Sequence, residues 1–216
     1  MNVTLIAHTV PTDNFTIFYT TSDTTGAEAI IEFAGRTCYG VEGRMFEKEK
    51  YIEERIEEGH TSLLEHISFS FYIEGISRSC LAQLTRHRIA SYSVRSLRYA
   101  RPEGFVVPDT VADECDLDVL QWHGLMEDAL EEYNFLTAHG VPKEDARYVL
   151  PLGVTTNLVM TANARSLRSV FEARALNPHA QWEIRDLTQE MLILCHKVAP
   201  SVFGDLVVQT EGQEAD

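Results

Sequence analysis

The chain has 216 residues, of which 44% are hydrophobic, and a formal net charge of −15. The apolar share supports a packed core and excludes a disordered chain, while the acidic balance argues against an extended nucleic-acid or anionic-membrane surface. No apolar run approaches the roughly 20 residues that a membrane-spanning helix needs.

Val3, Leu5 and Ala7 alternate with polar neighbours and predict an N-terminal strand. This opening stretch has neither a basic flank nor a cleavage-site pattern, so a signal peptide is not expected. Residues 25–35 have helical spacing and end in Gly35, and residues 44–58 form an amphipathic helix with Phe46, Tyr51, Ile52 and Ile56, capped by Gly59. His60 to His66 reads as a loop or helix start. Residues 67–74 alternate strictly and predict a strand with Ile67, Phe69, Phe71 and Ile73 on one face. A helix is expected over 76–87, with Ile76, Cys80, Leu81 and Leu84 on one stripe, then an Arg- and Ser-rich loop over 88–101. A turn at Pro102 to Gly104 leads into a short strand over 105–108. A long helix runs from about Leu117 to His139 and is closed by Gly140, and a short helix follows Pro142. A strand over 154–162 and helices over 164–175 and 180–198 complete the pattern, with a polar, frayed tail after Gln209. Trp122 and Trp182 read as core residues, and Asp113 to Asp118 with the Glu-rich helices as solvated faces. Strands and helices mix without regular alternation, so the fold class is α+β, with a mixed or antiparallel sheet flanked by helices in one domain over 1–216.

Cys38, Cys80, Cys115 and Cys195 form no CxxC pair and no zinc spacing, which points to free thiols in a reducing cytoplasm. Of 18 basic residues, 14 are arginine, and six of these, Arg78, Arg86, Arg88, Arg95, Arg98 and Arg101, fall within 24 residues. Arginine binds phosphate bidentately and stacks on rings. An acidic chain with one local arginine cluster suits a pocket for small anions. The interleaved Ser91 and Ser96 add hydroxyls, and together these groups make a phosphate cradle.

The segment Arg86-His87-Arg88, seven residues, then Ser96 resembles the signature of flavin-dependent thymidylate synthases. Gln83 precedes it at the family's spacing. GHTSLLEH (Gly59 to His66) resembles the family's GHxSxxEH block, and Gly35 to Tyr39 its ARTCY-like block. Ala146 to Pro151, Asn163 to Ser166 and His179 to Glu183 match its ARxVLP, NARS and HAQWE blocks, in the family's order. The resemblance implies reductive methylation of dUMP to dTMP, with FAD as redox cofactor, NADPH as reductant and methylenetetrahydrofolate as one-carbon donor. It also implies a homotetramer with FAD at subunit interfaces. By position, FAD contacts fall on His60, Ser62, Glu65, Arg86, His87, Arg88, Asn163, Arg165 and Ser169. Contacts to dUMP fall on Gln83, Arg86, Arg95, Ser96, Leu97, Arg98, Arg147 and Arg174. Arg174 matches the arginine that polarises the uracil ring. The chain departs from the commonest pattern at Ser93, Val94, Arg95 and Leu97, has Ser169 where some members have Asn, and has Cys38 where some have Ser.

The residues agree with this chemistry. Uracil C5 becomes nucleophilic when a cysteine adds to C6 or when a cation stabilises the anion left by the N3 proton; arginine stays charged in the second role, and the resemblance implies that no cysteine nucleophile is used. Ser96 lacks an adjacent base and reads as a ligand to phosphate or ring. No metal is expected, because the spacing of His60, Glu65 and His66 is not that of a zinc helix. A magnesium phosphohydrolase would require carboxylates interleaved with the arginines, which are absent. A nucleic-acid module is disfavoured by the net charge and the sparse aromatics.

Overall fold

The computed structural model describes residues 1–18, 26–41, 48–114 and 116–213. Four strands, β1 (Asn2–His8), β2 (Ser68–Ser77), β3 (Ser91–Val94) and β4 (Thr155–Asn163), form an antiparallel sheet in the order β1-β2-β4-β3. The helices are α1 (Ala27–Thr37), α2 (Lys48–Glu57), α3 (Arg78–Leu84), α4 (Asp109–Glu114), α5 (Asp116–Ala138), α6 (Lys143–Ala146), α7 (Ala164–Arg174), α8 (Trp182–Val198) and α9 (Pro200–Gln213). Short 3-10 helices cover Thr61–His66 and Arg147–Val149. The class is α+β.

The chain divides into two compact units, each built from separated segments. The first comprises Met1–Asn2, Ile73–Arg86 and Ser93–Val159; the second comprises Val3–Tyr72, His87–Tyr92 and Met160–Asp216.

In the first unit α5 buries Tyr133, and Ile76, Cys80, Leu84 and Leu97 are also buried. Trp122 is only half-buried and meets the Phe105 ring edge-on at 5.2 Å, so it covers the core rather than fills it. Phe105 makes a single antiparallel bridge to Val154, where the sequence suggests a strand over 105–108. Ile76 belongs to β2, and α3 begins two residues later because the Ser77 hydroxyl accepts from the Cys80 N–H at 2.9 Å and caps it.

In the second unit Ile67, Phe69 and Phe71 are fully buried, as the alternation requires. The Phe203 ring meets Phe69 and Phe171 edge-on at 5.7 and 5.8 Å. Phe203 belongs to α9, which the sequence reading leaves out. Pro200 at its first position, and Val202, Phe203 and Leu206 on one buried face, account for the helix. The buried Glu28 carboxylate on α1 accepts from the Ser201 N–H at 2.8 Å, satisfying one donor at the start of α9. Glu28, Glu32 and Glu183 are therefore exceptions to the solvated acidic faces. Trp182 is half-buried.

Gly35 does not end its helix. A Cβ there would lie 2.6 Å from the Tyr51 hydroxyl oxygen, so glycine is required for the close approach of α2, and α1 continues to Thr37. Gly59 does end α2, with φ +78° and its N–H on the Ile56 carbonyl at 2.9 Å. The predicted start of that helix, including Phe46, lies outside the described residues.

Candidate active site

In the second unit, α1, α2 and the 3-10 turn Thr61–His66 enclose a cavity of about 590 Å³ lined by Cys38, Tyr51, Arg55, His60, Ser62 and Glu65, among others. Arg36 and Arg55 both stack on the Tyr51 ring, with guanidinium carbons 4.6 and 5.3 Å from its centroid. The Tyr51 hydroxyl and Arg55 Nε are buried without a hydrogen-bond partner, and burial raises the Tyr51 pKa. Three expected flavin ligands, His60, Ser62 and Glu65, thus share one cavity. The sequence reading missed Tyr51 and Arg55; the signal for them was an aromatic and a cation one turn apart on a helix leading into GHTSLLEH.

Asn163, Arg165 and Ser169 lie on α7 and its N-cap. Asn163 caps the helix, its side-chain oxygen accepting from the Ser166 N–H at 2.9 Å. Arg165 is two residues later and binds the Glu65 carboxylate at 2.5 Å, joining α7 to the cavity wall. Arg165 and Ser169 are both exposed, four residues apart and hence on one helix face.

Arg174, at the last turn of α7, donates from Nε to His87 Nε2 at 3.2 Å. The His87 pKa is lowered by burial and by the Arg174 charge. The Tyr92 hydroxyl donates to the His87 carbonyl at 2.9 Å, and burial pushes the Tyr92 pKa up to about 12. Arg88 is exposed.

The residues expected to bind dUMP, apart from Arg174, belong to the first unit, on α3 and just after it, in the segment after β3, and in the short helix at 147–149. β3 itself is a correction: the sequence suggests a loop throughout 88–101, but Ser91–Val94 pairs in the sheet. After it the chain makes one tight turn, with the Tyr99 and Ala100 N–H groups on the Ser96 carbonyl and the Arg98 N–H on Ser96 Oγ. The Leu97 side chain is buried, which leaves its backbone for a ligand. Arg98 binds Glu144 at 2.7 Å, Arg95 pairs with Glu103, and Arg147 Nε donates to the Glu144 carbonyl at 3.0 Å. Arg78 donates to the Arg95 carbonyl at 2.9 Å, and its pKa is lowered by burial and by Arg147. Gln83 is half-buried on α3, and Arg86, just after it, is exposed.

The sequence is similar to those of known proteins. The family model for the thymidylate synthase complementing protein matches residues 20–201. A flavin-dependent thymidylate synthase of Geobacter sulfurreducens is 44% identical over 191 residues, covering 82% of this chain and 81% of its own. One of Haloarcula marismortui is 37% identical, covering 77% and 78%. One of Mycobacterium bovis is 38% identical over 214 residues, covering 88% and 84%.

The chain belongs to the flavin-dependent thymidylate synthase family.

It is accordingly an enzyme of the methyltransferase type, in dTMP biosynthesis, that uses a flavin and acts on small molecules. The residues present fit a flavin. The cavity beside Ser62 is within the size range of small-molecule sites, has an apolar wall at Ala34 and Leu63, and carries two buried polar atoms that lack partners. Among the described residues no helix is long and apolar enough to cross a membrane.

Proposed function

We propose that the enzyme reductively methylates dUMP to dTMP, taking the one-carbon unit from methylenetetrahydrofolate and using FAD reduced by NADPH. The observation that carries this reading is the state of Arg174. Among the described residues it has no carboxylate partner, and its hydrogen bond goes to a histidine ring whose pKa is lowered. In a chain of net charge −15, such a cation is available to an anion that forms on a ligand.

In this reading Arg98, Arg147, Gln83 and Arg86 bind the dUMP phosphate, with Ser96 and the backbone at Leu97 completing the cradle and Arg95 adding a cation. Arg174 stabilises the anion left when uracil N3 gives up its proton, which raises electron density at C5. C5 then attacks the one-carbon unit and later loses its own proton. The flavin, when bound, supplies the hydride that completes the methyl group. His60, Ser62, Glu65, Arg86, His87, Arg88, Asn163, Arg165 and Ser169 hold FAD. FAD lies at the interfaces of a homotetramer, since its ligands come from three separated sequence blocks and the chain has no Gly-rich dinucleotide fingerprint. A monomer in solution that binds FAD fully would contradict this arrangement. The free thiols suit a reducing compartment such as the cytoplasm.

The test is dTMP formation from dUMP with each component omitted in turn. Activity is expected only when FAD, NADPH and methylenetetrahydrofolate are all present. Turnover without flavin would overturn it.

A further inference from the structure

We propose that His87 is a positioning residue whose neutral ring, accepting through Nε2, orients the Arg174 guanidinium for its work on the substrate ring. The inference rests on the role given to Arg174 above.

Arginine can only donate hydrogen bonds. The 3.2 Å contact between Arg174 Nε and His87 Nε2 therefore requires Nε2 to be the acceptor, with the ring proton on Nδ1. Arg Nε carries a single hydrogen. Engaging it fixes the rotation of the guanidinium plane and leaves the terminal N–H groups for a ligand. A carboxylate at the same place would hold the plane as well but would neutralise the charge. A neutral imidazole holds the plane and leaves the charge.

The holder is itself anchored. The Tyr92 hydroxyl donates to the His87 carbonyl at 2.9 Å, and a phenol whose pKa is about 12 stays protonated across the working range, so this anchor does not titrate. The charged group acting on the half-buried His87 ring is Arg174, from α7; β3 approaches through the neutral Tyr92. Burial and the Arg174 charge both disfavour the imidazolium. When acid does protonate Nε2, the acceptor is lost and two cations face each other, so Arg174 must turn away.

The test uses the FAD-loaded enzyme with two readouts. In ¹⁵N-histidine NMR, His87 should show the Nδ1–H tautomer, and its pKa should rise toward the ordinary imidazole range in Arg174→Gln. In turnover at saturating dUMP, His87→Ala should lose about tenfold or more, the scale of one hydrogen bond to a charged group. His87→Gln, which offers an uncharged acceptor near the same place, should recover part of that loss and abolish the acidic limb of the wild-type pH profile. An unchanged His87 pKa in Arg174→Gln, or equal losses in the Ala and Gln variants with the acidic limb intact, overturns the proposal. Near-normal turnover in Arg174→Ala would instead overturn the parent role of Arg174. If His87→Ala does not fold, the NMR titration decides alone.

Discussion

In the first unit, two cations around Ser96 rest on carboxylates: Arg98 on Glu144 and Arg95 on Glu103, all at least partly exposed. In the second unit, Arg174 rests on a neutral imidazole. Solvent-exposed ion pairs contribute only about 0–1 kcal/mol, so arginines of the first kind can be given up to a phosphate at little cost. An arginine of the second kind keeps its charge uncompensated, which matters for an anion that exists only while the ring is activated. The two arrangements suit the two tasks. A substrate phosphate is a full charge that can displace a resident carboxylate; a transient ring anion is better served by a cation that is already unpaired.

The largest effect is expected at Arg174. Arg174→Ala should lower turnover by about a hundredfold or more, corresponding to one preorganised donor of roughly 3–4 kcal/mol. Its melting temperature should barely move, because a C-terminal helix cation is worth under about 1 kcal/mol. Arg174→Lys should rescue only in part, since it keeps the charge and loses Nε. Near-normal dTMP formation by Arg174→Ala at saturating dUMP would reduce Arg174 to a helix-end charge.

Arg98→Ala should weaken dUMP binding by about tenfold to a hundredfold, the cost of a charge-assisted contact of roughly 1.5–3 kcal/mol. Glu144→Gln should go the other way or stay level, because it releases Arg98 while keeping the Glu144 carbonyl that Arg147 uses. Calorimetric titration of both variants checks this; weaker dUMP binding in Glu144→Gln would show that the carboxylate orders the loop rather than parks the cation.

A buried pair in the second unit gives a contrast in stability. Glu28→Ala strands the Ser201 N–H and should cost about 1–3 kcal/mol. Glu28→Gln keeps an acceptor without a buried charge. The Glu28 pKa is raised, chiefly by burial, so its charged form is disfavoured in the fold. Wild-type stability relative to Glu28→Gln should therefore fall as pH rises through that raised value. Melting curves from acid to neutral pH that run parallel would contradict it.

The smallest effect is expected at the thiols. Cys80 and Cys195 are buried, and burial pushes the Cys195 pKa well up; Cys38 is exposed on the wall of the cavity beside Ser62. Cys115 lies outside the described residues. Replacing each with Ala or Ser should leave turnover within about tenfold apart from folding effects. One replacement that abolished turnover while dUMP still bound would require a nucleophilic thiol.

Much of this was legible in the sequence, for identifiable reasons. Strict alternation identified the buried face of β2, and the order of the motif blocks identified the family before any geometry. α9 was not legible, because Gly204 and a polar tail dilute its pattern and its apolar face has meaning only against Phe69 and Phe171. β3 was missed because its four residues are mostly polar or small, and pairing in the sheet rather than burial makes it a strand. Gly35 was misread because a glycine near a helix end looks like a cap until Tyr51 is seen against it. The pairing of His87 with Arg174 spans 87 residues, and no local pattern encodes it.

In the proposed reading the labour is divided: the residues around Ser96 take the substrate phosphate, and those around Asn163 and Arg165 take the flavin. Equilibrium titration of FAD and of dUMP into Arg98→Ala and Arg165→Ala tests it directly. Arg98→Ala should bind FAD as the wild type does and lose dUMP affinity, while Arg165→Ala should lose FAD affinity by about tenfold. Loss of FAD binding in Arg98→Ala, with dUMP binding unchanged, would contradict it.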